Sequence, residues 1–214
     1  MPRWTLCLPG RPPLGHPVPT PLTLPASTTR LTFRPFTVTD GGRILRLVGD
    51  PEVMRYLQGG ALAAERVEAE VLAPMLRTAA ELPGYGRICV EHRRAGAFIG
   101  WVSLVPRVPD AGPMYGWARG GGGATVVELG YRVVRDAWGS GLATEAARAA
   151  SDYALTSLGA RTVVATTMAA NTGSRRVLER VGFTLMGIRL LQWDEPNPGW
   201  EQGEAEYVLG DRPG

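Results

Sequence analysis

The strongest constraint on this chain lies between Val126 and Ala146. There a β-prone run, Val126-Val127-Glu128-Leu129-Gly130-Tyr131-Arg132-Val133-Val134, passes through Trp138-Gly139-Ser140-Gly141 straight into Leu142-Ala143-Thr144-Glu145-Ala146. A strand that meets an alanine-rich helix through a doubled glycine turn makes an anion site. The first N–H groups of a helix lack intrahelical acceptors and sit at the positive end of its dipole. Glycines at 139 and 141 set no Cβ in their path, so the amides can converge on a phosphate, and a pyrophosphate is the expected guest. Taken alone, Gly-x-Gly is equally compatible with a plain tight turn before a helix.

Absences narrow the nucleotide. A Walker loop needs Gly-Lys-Ser/Thr, and every one of the 23 basic residues is arginine. A dinucleotide fingerprint wants a small third residue where Thr144 stands, and an acid ending a second strand about 20 residues later. The chain reads Arg161-Thr162-Val163-Val164-Ala165-Thr166-Thr167 there, with no acid.

Directly after that strand comes Asn171-Thr172-Gly173-Ser174-Arg175-Arg176-Val177-Leu178-Glu179-Arg180-Val181-Gly182-Phe183. The two motifs at this separation resemble the GNAT superfamily of acyl-CoA-dependent N-acyltransferases, and within it the RimJ/RimL-like branch. Arg30-Leu31-Thr32-Phe33-Arg34-Pro35-Phe36, then Asp40 and Asp50-Pro51-Glu52-Val53-Met54-Arg55-Tyr56-Leu57, resembles the opening of the same branch. The resemblance covers about Arg30 to Gly210. It implies an α/β (α+β) fold, a mixed and mostly antiparallel sheet flanked by helices, in which splayed parallel strands form a CoA cleft.

The same resemblance implies acetyl-CoA as cosubstrate, with no metal. Its pantetheine arm would bond main-chain groups of Val133 and Val134, or of residues within one position. Its pyrophosphate would lie on the amides of Gly139, Ser140, Gly141, Leu142, Ala143 and Thr144, and Asn171 would reach the pantetheine amides. Trp138 stands where the superfamily commonly has Arg or Gln, which leaves phosphate recognition to the backbone.

Direct acyl transfer from a thioester to an amine needs a neutral amine, a stabilised oxyanion and a proton for the departing thiolate. Glu128 is the only acid in the strand that meets the turn, and is the candidate general base, directly or through a water. The competing account points it to solvent or bonds it to an arginine. N–H groups near Val133 would polarise the thioester carbonyl. Ser174 is the candidate acid, although Asn171 or Thr172 followed by Ser174 also makes a reasonable helix start.

The acceptor suggested by the resemblance is a protein or peptide N-terminal α-amine. A small-molecule amine (aminoglycoside, polyamine or amino sugar) is the alternative, which Glu65, Glu68 and Glu70 keep open. A CoA-binding regulator without turnover is a third reading, and a homodimer is compatible with all of them.

Composition agrees with one domain over 28–212, preceded by a proline-rich extension over 1–27 that reads as disordered. No run approaches the roughly 18 apolar residues of a membrane span. Cys7 and Cys89 offer neither a disulfide framework nor metal-ligand spacing, which fits a reducing cytoplasm. The net charge of +3 comes as scattered arginines, without the aromatic-interleaved stripe of a nucleic-acid module. His16 and His92 read as solvent-exposed.

The pattern predicts a strand over Leu31 to Phe36, two short helices broken at Asp50-Pro51, and a helix within Ala61 to Leu82, and the resemblance implies that these elements form a lid over the acceptor site. A hairpin follows around Arg93-Arg94-Ala95-Gly96. Pro106 to Thr125 reads as a mobile loop on which Met114, Tyr115 and Trp117 shape the acceptor pocket, or else as a simple insertion. A helix over Leu142 to Leu158 capped by Gly159, a strand at Thr162 to Thr167, a helix over Ser174 to Val181 and two closing strands near Thr184 to Gln192 and Glu204 to Leu209 complete the plan. Glu145 and Arg148 are spaced for a helix-surface ion pair, and Arg175 or Arg176 could meet a CoA phosphate. Trp193, Trp200 and Tyr207 would pack the last strands or line the acceptor cleft.

Overall fold

The buried positions of β2, β3, β5, β6 and β8 follow from strands that pack one or both faces against helices, and the computed structural model describes residues 24–57, 59–108, 116–117, 125–190 and 198–210. One sheet runs through the molecule in the order β1-β2-β3-β5-β6-β8-β7, with the short β4 paired to β3. Its strands are β1 Leu31–Arg34, β2 Gly86–His92, β3 Phe98–Val108, β4 Gly116–Trp117, β5 Val126–Val133, β6 Thr162–Met168, β7 Thr184–Arg189 and β8 Glu204–Gly210. All neighbours are antiparallel except β5 and β6, which are parallel. Residues 1–23 of the expected extension, together with Met114, Tyr115 and Trp193, lie outside the described residues.

Helices α1 Gly41–Val48 and α2 Pro51–Met54 follow β1. Asp50 accepts from the Glu52 N–H and Pro51 opens α2, a position where its missing N–H costs nothing. The expected lid is one helical run: α3 Ala64–Val67, a π turn over Glu68–Leu72, and α4 Ala73–Glu81. Pro74 explains the π turn. A proline inside a helix would clash with the carbonyl four residues before it, and the wider turn ahead of it, closed by Ala73 N–H on Glu68 C=O, relieves that contact.

The long helix α5 Leu142–Thr156 lays Ala146, Ala147, Ala150 and Ala154 on the sheet, and side chains this small let the helix axis come close. Gly159, expected as its cap, lies two residues beyond the observed cap Ser157 and takes a φ of 73°. Helix α6 Thr172–Val181 ends at Gly182 with φ 112°, the left-handed residue a helix stop prefers.

The region expected as a loop from Pro106 is in part strand, because β3 continues to Val108 and β4 pairs Trp117 with Arg107. Pro106 is tolerated there because the β2 pairing has already ended at Leu104.

Around Asp40, four charges tie β1, β2 and α1 together. Arg34 grips Asp40 with both terminal nitrogens at 2.8 Å and also reaches Glu91, while Arg43 bridges the same two acids. The Arg34 guanidinium holds the Asp40 carboxyl well below the usual carboxylate range, against its burial. Nearby Cys89 is fully buried, and burial pushes its thiol up to about 12, which makes it an inert core residue. No helix among the described residues is long and apolar enough to cross a membrane.

Candidate active site

Strands β5 and β6 pair at only three positions, Val126 with Thr162, Val127 with Val163 and Glu128 with Val164. Beyond Glu128 they part, although β5 continues to Val133 and β6 to Met168. Main-chain groups along a strand alternate in direction. Val134 N–H donates to Ile99 C=O at 2.9 Å, so the even-numbered residues of β5 spend theirs on β3. Tyr131 and Val133 therefore turn their N–H and C=O groups into the wedge, as does the C=O of Leu129, whose N–H makes the last bond to β6.

That alternation corrects one expectation. Val134 cannot supply a free amide. At Val133 the carbonyl accepts the indole N–H of Trp138 at 2.9 Å, which leaves the Val133 N–H facing the opening. Trp138 is thus half exposed but fixed, a peg that ties the glycine turn back to the strand.

The turn has the geometry the sequence implied. Gly139 and Gly141 take φ of 71° and 79°. Gly141 caps α5 without any side-chain acceptor, and the first helical bond is Glu145 N–H to Gly141 C=O at 3.1 Å. Ser140 Oγ donates to Ala137 C=O at 2.6 Å and approaches only the Leu142 N–H, at 3.4 Å. No group among the described residues accepts from the amides of Ala143 or Thr144. A Cβ at Gly139 would meet nothing within 4 Å, and one at Gly141 only the Arg30 Nη2 at 3.5 Å. Glycine is therefore required by the left-handed backbone rather than by crowding. A pyrophosphate fits this cradle, with Arg30 beside it.

Arg30 also settles the fate of Glu145. Instead of pairing with Arg148, Glu145 accepts from Arg30 Nε at 2.6 Å, from the Arg30 N–H at 3.0 Å and from Thr28 Oγ1 at 2.5 Å. Arg30 Nη1 then donates to Ser140 C=O at 2.9 Å. Arg148 is occupied with the carbonyls of Arg180 and Val181 at the end of α6.

Glu128 stands at the mouth of the wedge, its side chain about one-fifth exposed, and it is bonded by Arg107 two residues further along the face of β3. On the same sheet face, by register, lie Glu204 and Glu206 of β8, both held by Arg189 of β7 at 3.3 and 2.8 Å. Burial pushes the Glu204 carboxyl up, with Arg189 opposing and Glu206 and Glu128 adding to it.

The opposite face carries the other half. Tyr131 reaches across the wedge to the start of α6, where its hydroxyl donates to Ser174 C=O and shares a hydrogen bond with Ser174 Oγ, both at 2.9 Å. With the tyrosine proton on the carbonyl, the serine hydroxyl donates to the tyrosine oxygen. Burial pushes the Tyr131 hydroxyl up, so it stays protonated at neutral pH. Asn171 accepts the Ser174 N–H at 3.1 Å and caps α6. Arg175 is engaged by the Tyr207 hydroxyl at 3.0 Å, whereas Arg176 is exposed. Tyr207 is buried at 1% exposure, which settles it as packing.

Tyr131 was missed in the sequence. Its signal was parity: three positions after Glu128 on one strand, it had to face the other side.

The family model described as acetyltransferase (GNAT) domain matches residues 30–184. The FsC-acetyl coenzyme A-N(2)-transacetylase of Aspergillus fumigatus is 31% identical over 85% of this chain and 74% of its own length. Among solved structures, RimL, a ribosomal L7/L12 alpha-N-protein acetyltransferase in complex with coenzyme A, superposes with a TM-score of 0.68 over 88% of this chain and 98% of that one, at 16% identity. A spermidine N-acetyltransferase from Vibrio cholerae with CoA and spermine gives a TM-score of 0.65 over 86% and 96%, at 17% identity.

Proposed function

The chain belongs to the acetyltransferase (GNAT) family and is an acyl-CoA-dependent N-acetyltransferase, and from that premise we propose that it acetylates a primary amine by direct attack in a ternary complex. The observation that carries this reading is the three-position pairing of β5 with β6, which opens a wedge beside the uncapped amides of α5.

Acetyl-CoA, when bound, supplies an acetyl thioester and a thiolate leaving group. The chain's own residues would then divide the work by sheet face. Ala143 and Thr144 offer amides to the pyrophosphate, and Leu129, Tyr131 and Val133 offer main-chain groups along the wedge. The Val133 N–H is the donor placed to polarise a carbonyl seated there. Glu128 takes the proton of the incoming ammonium on one face. Ser174 and Tyr131 hold a proton on the other, where the sulfur leaves. Asn171 keeps α6 in place under Ser174 and has its amide nitrogen left for the pantetheine arm.

The acceptor is an amine of a small molecule. Support comes from the 31% identical relative, which is named for acetyl transfer at a numbered nitrogen, N(2). The likeness to the protein-acetylating structure lies at 16% identity and shares the fold alone. The acids that favoured a polyamine on the lid, Glu65, Glu68 and Glu70, are solvent-exposed, and Glu70 is paired with Arg66.

Thiol release from acetyl-CoA over a panel of small amines and N-terminal peptides tests this. Release with a small amine and not with peptides is expected. Release only with peptides would reverse the acceptor class, and silence across the panel despite acetyl-CoA binding would leave a regulator without turnover.

A further inference from the structure

One pair of charges on the Glu128 face is left unanswered by the catalytic reading. Trp101, in the middle of β3, carries a guanidinium from each neighbouring strand: Arg132 of β5 lies 4.8 Å from the indole centroid and Arg87 of β2 lies 5.4 Å from it. Register puts both there, since Arg132 is opposite Trp101 and Arg87 is opposite Ser103, one same-face position along β3. Trp101 is 3% exposed and is braced edge-on by Phe36 at 6.2 Å. The platform is therefore rigid.

Every other charge around the wedge has a partner. Glu128 has Arg107, and Glu204 and Glu206 share Arg189. Arg87 and Arg132 have no carboxylate among the described residues. Burial pushes Arg132 down to about 10, helped by the charge of Arg87. Both remain cations at neutral pH, and two like charges set side by side raise each other's cost. A cation–π contact holds a guanidinium without neutralising it. What such a pair lacks is an anion, and a guanidinium fork matches the two oxygens of a carboxylate or phosphate.

We propose that Arg87 and Arg132, held on Trp101, form the subsite for an anionic group, a carboxylate or a phosphate, on the amine acceptor. The proposal rests on the reading of Glu128 as the group that receives the amine. Glu128, Gly130 and Arg132 occupy alternate positions on one face of β5, so the acid and the arginine stand roughly 13 Å apart along the backbone at about 3.3 Å per residue. Arg107 holds Glu128 at one end and Trp101 holds Arg132 at the other, so the span is kept. Gly130 between them carries no side chain, and a Cβ there would meet Ser103 Oγ at 2.5 Å. An acceptor whose acid is set several bonds away from its amine fits this trough. A polyamine or aminoglycoside would bring further cations to the arginine pair and be repelled.

Two measurements test the subsite. The first compares thiol release with matched amines: a long-chain ω-amino acid, the ω-aminoalkyl phosphate of the same length, and the same amino acid as its carboxamide. The anionic members should be preferred at least tenfold in kcat/KM. Arg132→Gln and Arg87→Gln should each collapse that preference through KM, and Arg132→Lys should restore part of it. Greater gain from the carboxylate or from the phosphate identifies which anion the site was built for. Equal use of anionic and neutral amines, or a preference that survives both variants, overturns the proposal.

The second measurement does not depend on turnover. With CoA saturating, so that the phosphate cradle is filled, malonate or inorganic phosphate should raise the melting temperature of the wild type and not of either variant. Failure of that shift overturns the anion subsite whatever the panel shows. A shift without thiol release from any amine keeps the subsite and sinks the acetyltransfer reading. Because Arg87 is surface-reachable, its variant reads out even if Arg132→Gln fails to fold.

Discussion

At Glu128 the side chain meant to take the ammonium proton is already gripped by a cation. Arg107 holds and aims the carboxylate, yet it must free a lone pair when the amine arrives. Glu128→Gln should lower kcat by about 10² to 10⁴-fold, the usual worth of a positioned base, while thermal stabilisation by acetyl-CoA is retained. Loss of both together would show that the residue is structural. On the far face, Tyr131→Phe and Ser174→Ala should each slow turnover, and the double variant no more than the slower single one, if the two hydroxyls form one proton path. A slowed Ser174→Ala beside an unchanged Tyr131→Phe, or the reverse, would show that only one of them carries the proton. Asp40 gives a prediction of a different kind. Its carboxyl is nine-tenths and more buried and its pKa is depressed by Arg34, so the stability it contributes is present above the ordinary carboxylate pKa and is lost as pH falls below about 4. Asp40→Asn should cost about 1.5 to 3 kcal/mol at pH 7 and flatten the acid limb of the stability curve, as urea melts across pH would read.

Elements matter here through their ends. The start of α5 leaves its first amides open to the proposed pyrophosphate only because Gly139 and Gly141 take left-handed backbone, which a β-branched residue resists by about 1 to 2 kcal/mol. Gly141→Val should therefore straighten the turn, release the Trp138 peg and abolish the acetyl-CoA thermal shift. A normal shift in that variant would place the phosphate elsewhere. Both glycines and the helix behind them were legible in the sequence, as were the β2–β3 hairpin and α6 with its Gly182 stop, because caps and turn residues act locally. The partners of the turn were not. Glu145 finds Arg30 across 115 positions of sequence, and spacing along one helix had pointed to Arg148 instead. The π turn before Pro74 was equally hidden, since apolar spacing over Ala61 to Leu82 reads as one regular helix and does not show where a turn widens.

For the whole molecule the decisive feature is a parting of two parallel strands in an otherwise antiparallel sheet. Acetyl-CoA bridging β5, α5 and α6 should stabilise the fold by about 2.7 kcal/mol at one hundred times its dissociation constant, and wild-type melting with and without it checks that figure. The sequence by itself determined the period of each element, the glycines of the cradle and the acid that meets it, because these depend on residues a few positions apart. Only the tertiary structure decided that β5 and β6 separate after Glu128, that Tyr131 crosses to Ser174, and that Arg87 and Arg132 share one tryptophan. Each of those facts joins residues many positions apart in sequence, on neighbouring strands or on a strand and the helix beside it, and the register and packing of those elements set which side chains meet.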